Sequence, residues 1–442
     1  AAVVARGMGK PCVVGCGELV LNEKNKTVSC KGMTLHEGDS LSIDGLTGEV
    51  YFCELPTTPS EVIQVMVDKT RSEEESPTYQ NFHRIMTLAD NHRTLDIRAN
   101  CDTPRDSAVA RAFGAQGIGL CRTEHMFMNP KRLNDVRCLF FSTHSKERKQ
   151  AIDRLLPHQK GDFVGIFNAM EGFPITIRLL DPPLHEFMPY SEDELETLAE
   201  LMRTSAHELA NIRNNLQEQN PMLGHRGCRI GITYPELTAM QTRAILEAAI
   251  EVTRSGVDVH PEIMIPLVGI EGEIIHQKAI IDQTAKQIFE EQKLSIPYSV
   301  GTMIELPRAA LLADEIAKHA EFFSFGTNDL TQTTFGISRD DSAKFVPTYV
   351  KGTPNPLHPE DTLHILQNDP FQVLDRKGVG QLMQIAMRLG KKARPNLMCG
   401  ICGEHGGEPQ SVDFCHHIGL DYVSCSPYRV PVARLAAAIA NL

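Results

Sequence analysis

The chain has 442 residues, enough to bury a large domain of about 250–350 residues and something smaller beside it. It carries 56 acidic against 44 basic side chains, a formal charge of −12, and no long Lys/Arg stripe, which argues against a general nucleic-acid binder. No run of about 18 apolar residues offers a membrane span, no signal peptide opens the chain, and the 12 cysteines follow no disulfide spacing; an intracellular protein with reduced thiols, cytoplasmic unless addressed elsewhere, is expected.

In chain order, residues 1–56 read as all-β. PCVVGCGELVL, KTVSC, DSLSIDG and GEVYFCEL are short strand-like runs broken by Gly, Asn and Asp, with Asp44-Gly45 as a turn signal. Such a piece is thin for an independent core and reads as part of a domain whose other part is missing. Residues 57–90 read as a linker, with Pro56, Pro59 and the polar run Arg71–Pro77 around a short helix at Ser60–Lys69.

From residue 91 to 442 strand, loop and helix alternate. The expected strands are Thr94–Cys101, Gly117–Thr123, Ile175–Leu180, Gly227–Ile232, Glu262–Val268, Tyr298–Ile304, Phe322–Phe325 and Leu397–Ile401. Helical periodicity marks Glu192–Gln219, Glu236–Arg254, Ala309–Ala320 and Gly378–Leu389. Eight such units predict an α/β fold, a (β/α)8 TIM barrel with helical insertions. A doubly wound open sheet is the alternative, weakened because no GxGxxG follows the first strand.

In such a barrel, chemistry sits just past the strand ends. Those positions hold Arg122-Thr123-Glu124-His125, Arg178 with Asp181-Pro182-Pro183, Gly224-His225-Arg226, Glu305, Gly326-Thr327-Asn328-Asp329 and Cys402-Gly403-Glu404. Glu305 and Asp329 are 24 residues apart across one strand–helix–strand unit, so both should reach one face. Two hard oxygen ligands suit Mg²⁺ and leave positions open for substrate. Arginine is the side chain for bidentate binding of phosphate or carboxylate. Together these fit phosphoryl transfer or enolate chemistry on a small oxyanion. Blander readings stand beside them. Glu305 could pair with Arg308, Asp181 could be a turn former or an arginine orienter, and Cys402 could be an inert buried thiol. Cys399 and Cys402 form a C-x-x-C, but no second pair stands at zinc-ribbon spacing, and His405, His416 and His417 add little to a zinc case. Ala440-Asn441-Leu442 loosely resembles a peroxisomal address, against the simpler reading of a helix that ends there.

EFFSFGTNDLTQ, residues 321–332, resembles the signature of the phosphoenolpyruvate (PEP)-utilising enzymes. GIGLCRTEHMF, IRLLDPPLHEF, MLGHRGCRIGI and ICGEHGGEP resemble the pyruvate phosphate dikinase branch of that family, so the likeness runs from residue 117 to 409. Ala1-Ala2-Val3-Val4-Ala5-Arg6 resembles the run that follows the family's phosphohistidine. By that resemblance, residues 1–56 are the end of a swivelling phosphohistidine domain. The chain would then be a C-terminal piece lacking that histidine and the nucleotide-binding domain.

The resemblance implies one half of a reaction that interconverts ATP, phosphate and pyruvate with AMP, diphosphate and PEP. Glu305 and Asp329 would hold Mg²⁺, and the resemblance also implies a monovalent cation. Cys402 would exchange the C3 proton, and Arg122, Arg178 and Arg226 would neutralise the moving phosphoryl group. Gly326, Thr327 and Asn328 would hold the substrate carboxylate. Implied partners are pyruvate or PEP, the phosphohistidine domain and a second copy in a homodimer, with no nucleic acid and no membrane. A PEP synthase-type barrel and a non-catalytic PEP-binding or dimerisation module are the alternatives.

Overall fold

A computed structural model describes Ala5, residues 10–45 and residues 47–442. The phosphohistidine-like run at residues 1–6 thus lies, Ala5 apart, outside the described residues. Val20–Asn22, Thr27–Cys30 and Met33–His36 form a three-stranded antiparallel sheet, and Ser42–Ile43 pairs with Val50–Tyr51 across the turn that contains Asp44. These strands are short and only partly covered.

Eight parallel strands then close a barrel: β1 (Asp96–Asn100), β2 (Ile118–Arg122), β3 (Pro174–Arg178), β4 (His260–Ile265), β5 (Ser299–Ile304), β6 (Phe322–Phe325), β7 (Met398–Ile401) and β8 (Tyr422–Cys425). Each pairs with the next, and β8 closes on β1 with Val423 opposite Ile97. Apolar runs buried on both faces, such as Phe322, Phe323 and Phe325 of β6, are what a parallel strand between barrel interior and helices requires. Each such side chain contributes about 1.5–3 kcal/mol by leaving water.

Seven of the eight expected strands fall on barrel strands. Gly227–Ile232 does not: Cys228–Thr233 is helical, and the eighth strand is Tyr422–Cys425. A short apolar run cannot be told from a buried helix turn by periodicity. Here Gly227 takes φ 59°, a left-handed entry that turns the chain into the helix, and Thr233 Oγ1 donates back to the Arg229 carbonyl at 3.1 Å. The Glu192–Gln219 stripe is also two helices, Glu192–Met202 and Ala206–Leu216. Arg203 takes a left-handed conformation, and Ser205 caps the second helix by accepting from Glu208 N. Ala309–Ala320 splits likewise into Pro307–Leu311 and Ala313–Ala317. The linker span holds more helix than expected, Glu61–Met66 and Pro77–His92.

Inside the barrel, Arg98 of β1 pairs with Glu262 of β4 at 2.7 Å, and Thr176 of β3 donates to the same carboxylate at 2.6 Å. The Arg98 guanidinium lies 4.0 Å from the centroid of the Tyr422 ring. This polar plug fills the interior below the strand ends and was not foreseen from sequence.

Candidate active site

The strand ends surround a cavity of about 290 Å³. Arg122 enters it from the end of β2, Arg178 from β3, Glu305 from β5, Gly326, Asn328 and Asp329 from β6, and Cys402 from β7. Arg226 reaches it from the insertion between β3 and β4, immediately before the left-handed Gly227.

Asp181 ties two of the arginines together. Its Oδ2 accepts from Arg178 Nη1 at 2.9 Å and from Arg226 Nη2 at 2.5 Å. Arg178 also donates to Glu124, and Arg226 donates to Asp329 at 3.0 Å. Burial opposes the charge on both guanidiniums. Asp181 and Glu124 outweigh it at Arg178, and Asp181 and Asp329 do so at Arg226, so both stay fully cationic. Burial likewise opposes ionisation of Asp181, but Arg178 and Arg226 hold its carboxyl below the usual range. Asp181 is therefore an arginine orienter rather than a mere turn former.

Glu305 is wholly buried, and its Oε1 accepts from Leu267 N at 2.7 Å. It does not pair with Arg308, whose guanidinium donates to the Gly269 carbonyl. Its Oε2 has no partner. Burial, reinforced by the negative charges of Asp181 and Asp329, raises its pKa well above the usual carboxylate range. A Cβ on Gly326 would stand 2.7 Å from that Oε2, so only glycine lets β6 end this close to Glu305. The charges around the cavity point the same way: seven carboxylates line it against four arginines. An orphaned, buried carboxylate oxygen beside Asp329 fits a hard divalent cation. No cluster of three or more His, Cys, Asp or Glu in metal-binding geometry occurs among the described residues.

The helix Thr327–Phe335 begins at the cavity, and the N–H groups of its first turn have no acceptor within the helix. Gly326 N is committed to the Ile304 carbonyl at 3.2 Å, so it is not a free donor for substrate. Thr327 is fully buried and does not line the cavity; its Oγ1 lies 2.7 Å from His405 Nδ1. His405 Nε2 faces the Pro370 carbonyl at 2.9 Å, so the proton sits on Nε2 and Nδ1 accepts from Thr327. Burial lowers His405 below the usual histidine range and keeps that ring neutral. Asn328 Oδ1 accepts from Glu404 N at 3.3 Å, and Thr327 and Asn328 together thus clamp the β7 loop that carries Cys402.

Cys402 lies at the cavity floor, its Sγ 3.7 Å from the Phe325 carbonyl, and burial pushes the thiol up to about 11. Cys399 faces away, toward the Leu397 carbonyl. Sequence reasoning missed Asp102, which accepts from Arg122 N at 2.7 Å and from His125 Nδ1 at 2.7 Å. Asp102 stands two residues past β1, so the strand-end rule applied to the first strand would have found it.

A family model described as PEP-utilising enzyme, PEP-binding domain, matches residues 77–442, and one described as PEP-utilising enzyme, mobile domain, matches residues 1–48. The chain belongs to the PEP-utilising enzymes. It is 51% identical over 443 residues to a pyruvate, phosphate dikinase of Clostridium symbiosum, covering 100% of this chain and 48% of that one. Against pyruvate, phosphate dikinase 2 of Zea mays the identity is 53% over 443 residues, with 99% and 47% covered. The chain spans about half the length of the curated relatives it matches. A citrate lyase structure from Burkholderia xenovorans aligns at 14% identity and TM-score 0.31, over 60% of this chain and 68% of that one, too slight a likeness to carry an argument. Among the described residues of this PEP-utilising chain no helix is long and apolar enough to cross a membrane.

Proposed function

We propose that this barrel carries the pyruvate/PEP half of the pyruvate phosphate dikinase reaction. The observation that carries the reading is the single cavity that gathers Arg122, Arg178, Arg226, Glu305, Asn328, Asp329 and Cys402. Glu305 and Asp329 would hold Mg²⁺, and the metal would supply Lewis-acid polarisation of the pyruvate carbonyl that acidifies C3. The first-turn N–H groups of Thr327–Phe335 and the Asn328 side chain orient the substrate carboxylate. Cys402 takes a proton from C3 or returns one to it. The enolate oxygen attacks phosphorus on a phosphohistidine as the P–N bond breaks, and Arg122, Arg178 and Arg226 offset the charge on the phosphoryl oxygens. With its thiol raised to about 11, Cys402 is protonated at neutral pH and is poised to protonate the enolate, the direction that forms pyruvate.

The phosphohistidine domain, of which residues 1–56 would be the end, is the expected donor. Residues 57–90 form the link and residues 91–442 the barrel. A homodimer, a monovalent cation and a cytoplasmic location follow from the family resemblance. The import reading of Ala440-Asn441-Leu442 gains no support from bacterial and chloroplastic relatives. A synthase-type reaction would differ in needing no inorganic phosphate.

The test is exchange of the C3 protons of pyruvate with deuterated solvent in the presence of Mg²⁺. Cys402→Ala should abolish exchange and leave Mg²⁺-dependent PEP binding intact. In the unsubstituted chain the rate should climb about tenfold per pH unit between pH 7 and 9, because the thiolate fraction does so well below its midpoint. Undiminished exchange in Cys402→Ala would remove the thiol from its role.

A further inference from the structure

His405 is a fully buried histidine to which the proposed mechanism gives no role. It stands three residues past Cys402, and its ring joins two other segments. Nδ1 accepts from Thr327 Oγ1 at 2.7 Å, and Nε2 donates to the Pro370 carbonyl at 2.9 Å. Thr327 opens the helix that carries Asn328 and Asp329, and Pro370 is buried in the segment between that helix and Val379–Ala393. A neutral imidazole is a rigid plane with one donor and one acceptor, so it fixes both the distance and the direction between the groups it links.

The seam that His405 crosses divides the site. On one side, Asp329 accepts from Arg226 at 3.0 Å and Glu305 from Leu267 N at 2.7 Å, bonds that owe nothing to β7. On the other side stands Cys402, whose N donates to the Phe325 carbonyl at 3.1 Å. The next residue, Gly403, packs so closely on Thr327 that an added Cβ would stand 2.0 Å from its Oγ1; glycine lets the loop reach the hydroxyl. Asn328 also ties the seam by accepting from Glu404 N at 3.3 Å, but in the proposed reaction it serves the substrate as well. Thr327 and His405 do not line the cavity and are left to the seam alone.

We infer that His405 is a positioning residue for the proton transfer, which through Thr327 holds the Cys402 thiol in register with Glu305 and Asp329. The inference rests on the half-reaction reading above and adds the group that sets the thiol's place. Proton transfer at carbon needs a near-attack alignment, and a displacement of about 1 Å can cost about a hundredfold in rate. Ligand binding, spread over arginines and carboxylates across the seam from β7, depends far less on it.

The test measures C3 proton exchange of pyruvate with Mg²⁺, and calorimetric PEP affinity, on the same preparations. His405→Gln keeps a donor near Nε2 for Pro370 and removes the acceptor for Thr327; His405→Asn does the reverse. His405→Gln should lower the maximal exchange rate about tenfold to a hundredfold, with pyruvate KM and PEP affinity within about twofold. His405→Asn should recover a large part of that loss. Thr327→Val removes the same bond from its other end and should match His405→Gln, and the double variant should cost no more than either single one. If His405→Gln does not fold, Thr327→Val decides alone. Exchange at the parent rate in these variants, or an equal fall in exchange and PEP affinity, would overturn the assignment. So would His405→Asn as impaired as His405→Gln, since the ring would then merely brace the Pro370 segment. An unsubstituted chain that neither exchanges C3 protons nor binds PEP would instead sink the half-reaction reading, and the His405 assignment with it.

Discussion

The barrel contains two buried ionic networks, and they differ in how their carboxylates are satisfied. In the interior, both oxygens of Glu262 are engaged: Oε2 by Arg98 and Thr176, and Oε1 by the second Arg98 nitrogen at 3.5 Å. At the mouth, Glu305 Oε2, Asp181 Oδ1 and Glu124 Oε2 are all buried without a partner. A buried acceptor left open costs about 1–3 kcal/mol, so a fold keeps several together only where something else fills them. The interior carboxylate is satisfied within the chain, although Arg98 Nε is buried beside it without a partner. Under the proposed half-reaction, the mouth network would be completed by cation, substrate or both.

Glu262→Ala should break the first network at the larger cost. It leaves the Arg98 guanidinium buried and uncompensated, and urea unfolding should fall by about 3–5 kcal/mol. Glu305→Gln should do the reverse to stability. A carboxyl whose pKa is raised above the ordinary range destabilises the fold once pH exceeds its unfolded value of 4.5, increasingly so up to its folded midpoint. The uncharged amide keeps the bond from Leu267 N and removes that penalty. At pH 7 the variant should be as stable as the parent or about 1 kcal/mol more stable, a gain that vanishes below about pH 4, while Mg²⁺-dependent PEP binding drops more than tenfold. Loss of stability in Glu305→Gln equal to that in Glu262→Ala would erase the distinction between the two networks.

The same contrast governs what the sequence could reveal. Mouth residues follow strand ends, a positional rule, so Arg122, Arg178, Glu305, Asp329 and Cys402 were legible one strand at a time. Arg226 was found for a wrong local reason. It precedes a helix, not a strand, and reaches the mouth because Asp181 and the left-handed Gly227 bring the insertion back over the barrel. Thr327 shares the signature run with Asn328 yet turns away to His405, a partner 78 residues on that no local pattern predicts. The interior pair joins Arg98 to Glu262 across 164 residues, and strand Tyr422–Cys425 offers only four residues of weak β signal, so both emerged only from closure of the barrel.

The smallest expected effect lies at the rim, where Asp102 belongs to neither extreme. It is bonded to Arg122 N and to His125 Nδ1, and His125 is partly exposed. The hydrogen bond from His125 to Asp102 raises the histidine above its ordinary 6.5, burial opposing it only in part. Burial opposes ionisation of Asp102, but the bond from His125 and the charge of Arg122 hold its carboxyl below its ordinary 3.8. The histidine's contribution is fully present below pH 6.5 and is lost as pH rises through the raised value; the aspartate's is present above 3.8 and lost as pH falls through the depressed one. The pair therefore stabilises most between those two ordinary values, and His125 adds positive charge to the rim in that window. Asp102→Asn should move the His125 titration, followed by NMR of its ring protons, back toward the ordinary histidine range. A titration that stays raised in Asp102→Asn would mean that the acidic cavity as a whole, not this one bond, sets the charge at the rim.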